Sequence, residues 1–122
     1  MKIIIFDTET TGFPNKGPLS GQPYVVQFAS ITLAYDSDKN TFTEIDRKNL
    51  FIKPDIPIPK EVSKIHGIYD KDVEDKPKIQ EQIDIILEVF QNADIAIAHN
   101  LDFDKKMIEI QLLRTGKPKN FL

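Results

Sequence analysis

Ile3-Ile4-Ile5-Phe6-Asp7-Thr8-Glu9-Thr10-Thr11-Gly12 sets two carboxylates, two residues apart, at the end of an apolar run. Ile3 to Phe6 is β-branched and aromatic without interruption, which reads as a buried strand. Side chains alternate along a strand, so Asp7 and Glu9 share a face, with Cβ atoms about 7 Å apart. Two like charges on one face of a buried strand are costly to desolvate unless something compensates them. A divalent cation with a preference for oxygen ligands, Mg²⁺ or Mn²⁺, is the simplest compensation. The competing reading is a strand that ends in solvent with both acids hydrated at its tip.

Outward from this stretch, the chain divides by its punctuation. Phe13 to Pro23 holds three prolines and two glycines and reads as a loop. Tyr24 to Tyr35 is rich in β-formers, Asp36 to Asn40 is turn chemistry, and Thr41 to Lys53 resumes β character. Three successive strands in this order suggest an antiparallel meander. Pro54 to Pro59 is extended by necessity. Lys60 to Ile65 reads as a short helix ending at His66-Gly67, with Gly67 as a left-handed cap, and Asp70 as the N-cap of another turn. From Lys78 to Gln91 the residues Ile79, Ile83, Ile86, Leu87 and Phe90 form the clearest amphipathic stripe of the chain. Asn92 ends that helix, and Asp94 to Ala98 reads as a strand of small residues.

A second acid-rich junction follows at His99-Asn100-Leu101-Asp102-Phe103-Asp104. Phe103, Met107 and Ile110 share a face of the helix that runs on to Arg114, and Gly116 and Pro118 mark its end. Acids in a first helical turn are favoured by the macrodipole, so charge alone does not separate Asp102 from Asp104. Asp102 reads as the N-terminal capping acid. Asp104 follows Phe103, whose ring is expected to anchor the helix and fix the carboxylate beside it.

At 122 residues the chain suits one domain, and its net charge of −3 gives no global basic field. Binding to a nucleic acid would then rest on a local patch or on bridging metal ions. Arg47 and Arg114 are the only arginines, and the absence of cysteine excludes disulfides, zinc–thiolate sites and thiol nucleophiles. No segment approaches the apolar length of a membrane span, and the N-terminal run is too short for a signal peptide. A cytoplasmic, intracellular protein with no membrane partner is the expectation.

Phe6-Asp7-Thr8-Glu9-Thr10-Thr11-Gly12 resembles the first motif of the DEDD superfamily of 3′–5′ exonucleases, in the branch of the DNA polymerase III epsilon proofreading subunit. His99-Asn100-Leu101-Asp102-Phe103-Asp104 resembles the second motif, and His66-Gly67-Ile68 with Pro77 resembles the segment between them. The resemblance implies an α/β, ribonuclease-H-like mixed sheet flanked by helices, with the Asp94–Ala98 strand parallel to the first. It also implies two-metal phosphodiester hydrolysis with Mg²⁺ or Mn²⁺. In that scheme Asp7, Glu9 and Asp104 are catalytic acids and metal ligands. Thr10, Thr11 and Gly12 contact the 3′-terminal nucleotide through backbone or hydroxyl groups, and Phe13 wedges against its base.

The implied partners are a single-stranded DNA or RNA 3′ end and a DNA polymerase subunit. The family's third motif, with a fourth acid and a general-base histidine, has no counterpart in residues 1–122. His99 reads as structural, orienting Asn100 or capping backbone, and His66 as a satisfied packing residue. The Asp94–Ala98 strand is expected to show an unprotected hydrophobic edge. Residues 1–122 therefore read as a single, incomplete exonuclease domain. Half of a split enzyme completed by another chain, an inactive nucleic-acid- or polymerase-binding module, and a mononucleotide-handling site stand as alternatives.

Overall fold

Four strands and four α-helices account for the chain in the computed structural model, which describes residues 1–122. The strands are β1 (Lys2–Thr10), β2 (Val25–Asp36), β3 (Thr41–Phe51) and β4 (Ile95–Ile97). The helices are α1 (Lys60–His66), α2 (Asp70–Val73), α3 (Ile79–Phe90) and α4 (Leu101–Arg114). The sheet order is β3-β2-β1-β4, with β1 antiparallel to β2 and parallel to β4. This is the expected meander with a parallel fourth strand.

The amphipathic stripe buries as its spacing predicts. Ile79, Ile83, Ile86 and Phe90 of α3 join Met107, Ile108, Ile110 and Leu112 of α4 over Ile4, Phe6 and Phe28 of the sheet. Phe90 is the hub: its ring stands edge-on to Phe6 at 4.9 Å and to Phe121 at 4.9 Å, geometries that suit aromatic quadrupoles. Asn92 and Gly67 take the positive φ values (58° and 78°) that end α3 and α1.

β1 departs from the sequence expectation. It is buried on one face, not two: Ile4, Phe6, Thr8 and Thr10 point into the core while Ile5 is 38% exposed. The reason is that α3 and α4 both pack on the same side of the sheet. β4 forms one edge of the sheet, and Ile95 and Ile97 are 42% and 47% exposed there, matching the hydrophobic edge expected of this strand. Two caps also differ. The N-cap of α4 is Asn100, whose Oδ1 accepts from the Phe103 N–H at 3.4 Å, so Asp102 is an exposed acid of the first turn and not the cap. Asp70 opens α2 without capping it; its Oδ1 accepts instead from the Ile58 N–H at 2.9 Å, and Asp72 closes the turn on the Tyr69 N–H.

Candidate active site

Because β1 alternates, Asp7 and Glu9 emerge on the open face of the sheet, opposite Ala29 and Gln27 of β2. The register slips between Glu9 and Thr10, a bulge that bends the strand at the carboxylate pair. β4 lies parallel to β1 and leads directly into α4, which brings Asp104 to the same end of the sheet. Asp104 is 3% exposed, and its Oδ1 accepts from the Thr8 N–H at 3.1 Å and from the Thr8 hydroxyl at 2.6 Å. Thr8 lies between Asp7 and Glu9 with its side chain on the opposite face, so Asp104 is tied to the segment of β1 that carries the pair.

The electrostatics follow from this crowding. Burial pushes the Asp7 carboxyl above its ordinary pKa, and the Asp104 charge adds to the rise, against smaller lowering from the Thr8 N–H and His99. Glu9 is raised in the same way, by burial first and then by Asp7 and Asp104, with His66 opposing. The four ion pairs of the chain all lie elsewhere, so no lysine or arginine neutralises the cluster. Two raised carboxylates without a cationic partner leave a locally negative site that a cation preferring oxygen ligands would relieve. The donor set therefore fits Mg²⁺ or Mn²⁺ in chemistry. No three acids or imidazoles converge as a ready-made cage, however, and one Asp104 oxygen is committed to Thr8.

The residues after the pair are arranged differently from the sequence expectation. Thr10 and Thr11 are 6% and 4% exposed, and both hydroxyls are engaged in the turn. The Thr10 hydroxyl donates to the Gly12 carbonyl at 2.7 Å, and the Thr11 Oγ1 accepts from the Tyr24 N–H at 3.0 Å. They shape the turn and leave Phe13 to face outward. Phe13 is 79% exposed, with its ring centroid 5.5 Å from that of Phe103 at the start of α4. The two rings, Glu9, Val62, Ile65 and His66 line a cleft of about 170 Å³.

His66 is the residue whose place the sequence understated. Its Nδ1 accepts from the Ile68 N–H at 3.1 Å, so Nε2 carries a proton and donates to the Thr10 carbonyl at 3.0 Å. The ring is satisfied, as expected, yet it also forms a wall of the cleft beside Glu9. The signal available in sequence was the His66-Gly67 helix end, which locates a turn but not its neighbour in space. His99 makes no hydrogen bond to Asn100 or to backbone. It is exposed, and its charge reaches Asp7, which corrects the structural role expected for it.

A four-stranded mixed sheet in the order β3-β2-β1-β4, with β4 parallel to β1 and helices packed on it, defines a ribonuclease-H-like fold. Residues 4–119 match the family model of the RNase T exonuclease family, and the chain belongs to that family. It is 32% identical over 103 residues to the DNA polymerase III subunit epsilon of Buchnera aphidicola subsp. Schizaphis graminum, covering 84% of this chain and 42% of that one. Among solved structures, E. coli exonuclease I in complex with a dT13 oligonucleotide superposes with a TM-score of 0.78 at 19% identity, over 98% of this chain and 25% of that one. A zinc-bound form of the same exonuclease with single-stranded DNA gives 0.77 at 20% identity, again covering 98% of this chain and 25% of that one. The chain thus spans less than half of the epsilon relative and a quarter of the exonuclease.

Proposed function

We propose that the chain carries the leading part of a metal-dependent 3′–5′ exonuclease site acting on single-stranded nucleic acid. The observation that carries this reading is the unneutralised Asp7–Glu9 pair, felt by Asp104 through β1, beside a cleft walled by Phe13 and Phe103. Asp7 and Glu9 would hold a divalent cation, Mg²⁺ or Mn²⁺, on the open face, and Asp104 would contribute through the oxygen not bonded to Thr8. When bound, such cations polarise the scissile phosphate and make water a nucleophile at neutral pH. Thr8 fixes Asp104 in place, and the Thr10–Gly12 turn presents Phe13. Phe13 and Phe103 receive the terminal base, a contact worth about 1–3 kcal/mol that tolerates any base. His66 keeps the floor of the cleft rigid through Thr10.

The wider reading follows from the relatives. The epsilon homologue is a DNA polymerase III subunit, so a polymerase subunit is the protein partner proposed here, in an intracellular setting. No helix is long and apolar enough to cross a membrane. A second reading, binding of a 3′ end without turnover, is favoured by one observation: the three acids do not close on a common point.

An oligonucleotide labelled at its 3′ end, incubated with the chain and Mn²⁺, separates the two. Release of labelled mononucleotide that Asp7→Asn abolishes supports the exonuclease. Metal-dependent binding without release supports the second reading. Binding indifferent to both metal and Asp7 sinks both.

A further inference from the structure

Phe13 is the most exposed ring of the chain, and its one aromatic contact is with Phe103. With so little of its own surface packed, its position is set by the chain on either side. Thr11, two residues before it, is tied to Tyr24. The Thr11 N–H donates to the Tyr24 carbonyl at 2.9 Å, and the Tyr24 N–H donates back to the Thr11 hydroxyl oxygen at 3.0 Å. Asn15, two residues after it, is tied to the buried Gln22. The Gln22 Nε2 donates to the Asn15 carbonyl at 2.8 Å, and its Oε1 accepts from the Asn15 N–H at 3.0 Å. Pro14 covers the remaining step with a fixed φ.

Both anchors meet at Arg114, the last residue of α4. Its guanidinium lies 3.7 Å from the centroid of the Tyr24 ring, a cation–π contact. Nη1 donates to the Pro23 carbonyl at 2.5 Å, and Nη2 donates to the carbonyls of Leu19, at 3.2 Å, and Gln22. Arg114 belongs to none of the four ion pairs, so its planar fork is directed at the backbone of one loop and not at a carboxylate. The buried Gln111, three residues earlier, adds a bond from Nε2 to the same Pro23 carbonyl at 3.2 Å. The first turn of α4 carries Phe103, about 16 Å away along the helix axis.

We propose that Arg114 is a positioning residue for the terminal base: it fastens the Phe13–Pro23 loop to α4, so that Phe13 stands across the cleft from Phe103. The identity of the ligand rests on the exonuclease reading, while the fastening itself does not. One helix sets both rings, Phe103 directly and Phe13 through Arg114. The acids on β1 take no part in the fastening. Its loss should therefore weaken the hold on a base and leave the hold on a phosphate unchanged.

Two variants test this. Arg114→Met keeps the stem over Tyr24 and loses all three hydrogen bonds, and the milder Arg114→Lys keeps the charge and loses the fork. In the free chain, nuclear Overhauser contacts between the rings of Phe13 and Phe103 should vanish in Arg114→Met and weaken in Arg114→Lys, while those between Phe6 and Phe90 in the core persist. With Mg²⁺ present, thymidine 5′-monophosphate and the abasic 1,2-dideoxyribose 5-phosphate are titrated and followed by the Asp7 and Glu9 amide shifts. Arg114→Met should weaken the nucleotide roughly tenfold, the loss of one stacking contact, and leave the abasic probe unchanged. Arg114→Lys should follow the same pattern to a smaller extent. Phe13→Ala should weaken the nucleotide as much, and combining it with Arg114→Met should weaken it no further. Ring contacts that persist in both variants, equal weakening of the two probes, or additive losses in the double variant overturn the proposal and leave the exonuclease reading standing. If neither probe shifts the Asp7 and Glu9 amides of the wild-type chain, the exonuclease reading falls, and the ring contacts, measured without ligand, still judge the fastening.

Discussion

Replacing Asp104 tests whether one carboxylate both builds the site and holds the fold. Asp104→Ala removes the acceptor of two Thr8 donors in a position that is 3% exposed. Each buried donor left without a partner costs about 1–3 kcal/mol, and the hydroxyl has some freedom to turn elsewhere, so the expected loss is about 3 kcal/mol. That is a large share of the ~5–15 kcal/mol that holds a domain together. With a urea m value of about 1.5 kcal/mol/M, the midpoint should fall by about 2 M. The chain lacks tryptophan, so far-UV circular dichroism is the appropriate signal.

Asp104→Asn keeps an acceptor for both donors and relieves repulsion with Asp7 and Glu9, so its cost should stay within about 1 kcal/mol while any metal-dependent activity is lost. Asp102→Ala, on the exposed side of the same helical turn, is the control and should change stability by no more than about 0.5 kcal/mol. A cycle with Thr8→Val should show coupling of about 1 kcal/mol or more with Asp104→Ala. If Asp104→Ala unfolds at the same urea concentration as Asp102→Ala, or adds to Thr8→Val without coupling, the reasoning fails.

Asp7→Asn should behave oppositely. The Asp7 carboxyl is raised in the folded chain, so the native state binds more protons than the unfolded one just above the ordinary carboxylate range. Wild-type stability therefore falls as pH rises through that range, and Asp7→Asn should be the more stable form at pH 7. Calorimetry should show the difference shrink as pH falls through the ordinary carboxylate range, and Mn²⁺ should raise the wild-type Tm more than the variant's. A variant less stable than wild type at pH 7 counts against the uncompensated cluster. Gly67→Ala forces a side chain into φ 78° and should cost about 1–2 kcal/mol in thermal unfolding; an unchanged Tm would refute the left-handed cap.

Most of the architecture was legible because it is written in short-range periodicity. The α3 stripe and the Gly and Asn stops describe one element at a time, and each element forms nearly where its pattern ends. The β1 run misled in one respect. Ile3-Ile4-Ile5-Phe6 looks the same whether a strand is covered on one face or two, and only the placement of α3 and α4 leaves Ile5 in the open. The site divides along the same line. Asp7 and Glu9 share a face by strand geometry alone, so their pairing needs no partner to be read.

Asp104 is different, because its distinguishing feature is a bond to a residue 96 positions away. Asp102 and Asp104 carry the same charge in the same helical turn, and rotation about the helix axis sends one to solvent and the other to Thr8. The Thr10 and Thr11 hydroxyls likewise looked free in the sequence, but one turns to the Gly12 carbonyl and the other accepts from the Tyr24 N–H. His66 gained its place when the end of α1 met the Thr10 carbonyl. By itself, then, the sequence determined the strands, the helices and the acidic pair, since those follow from patterns within a few residues. The tertiary structure decided how Asp104 is held, which hydroxyls are engaged and which histidine walls the cleft. Each of those depends on groups that only the folded chain brings within hydrogen-bonding distance.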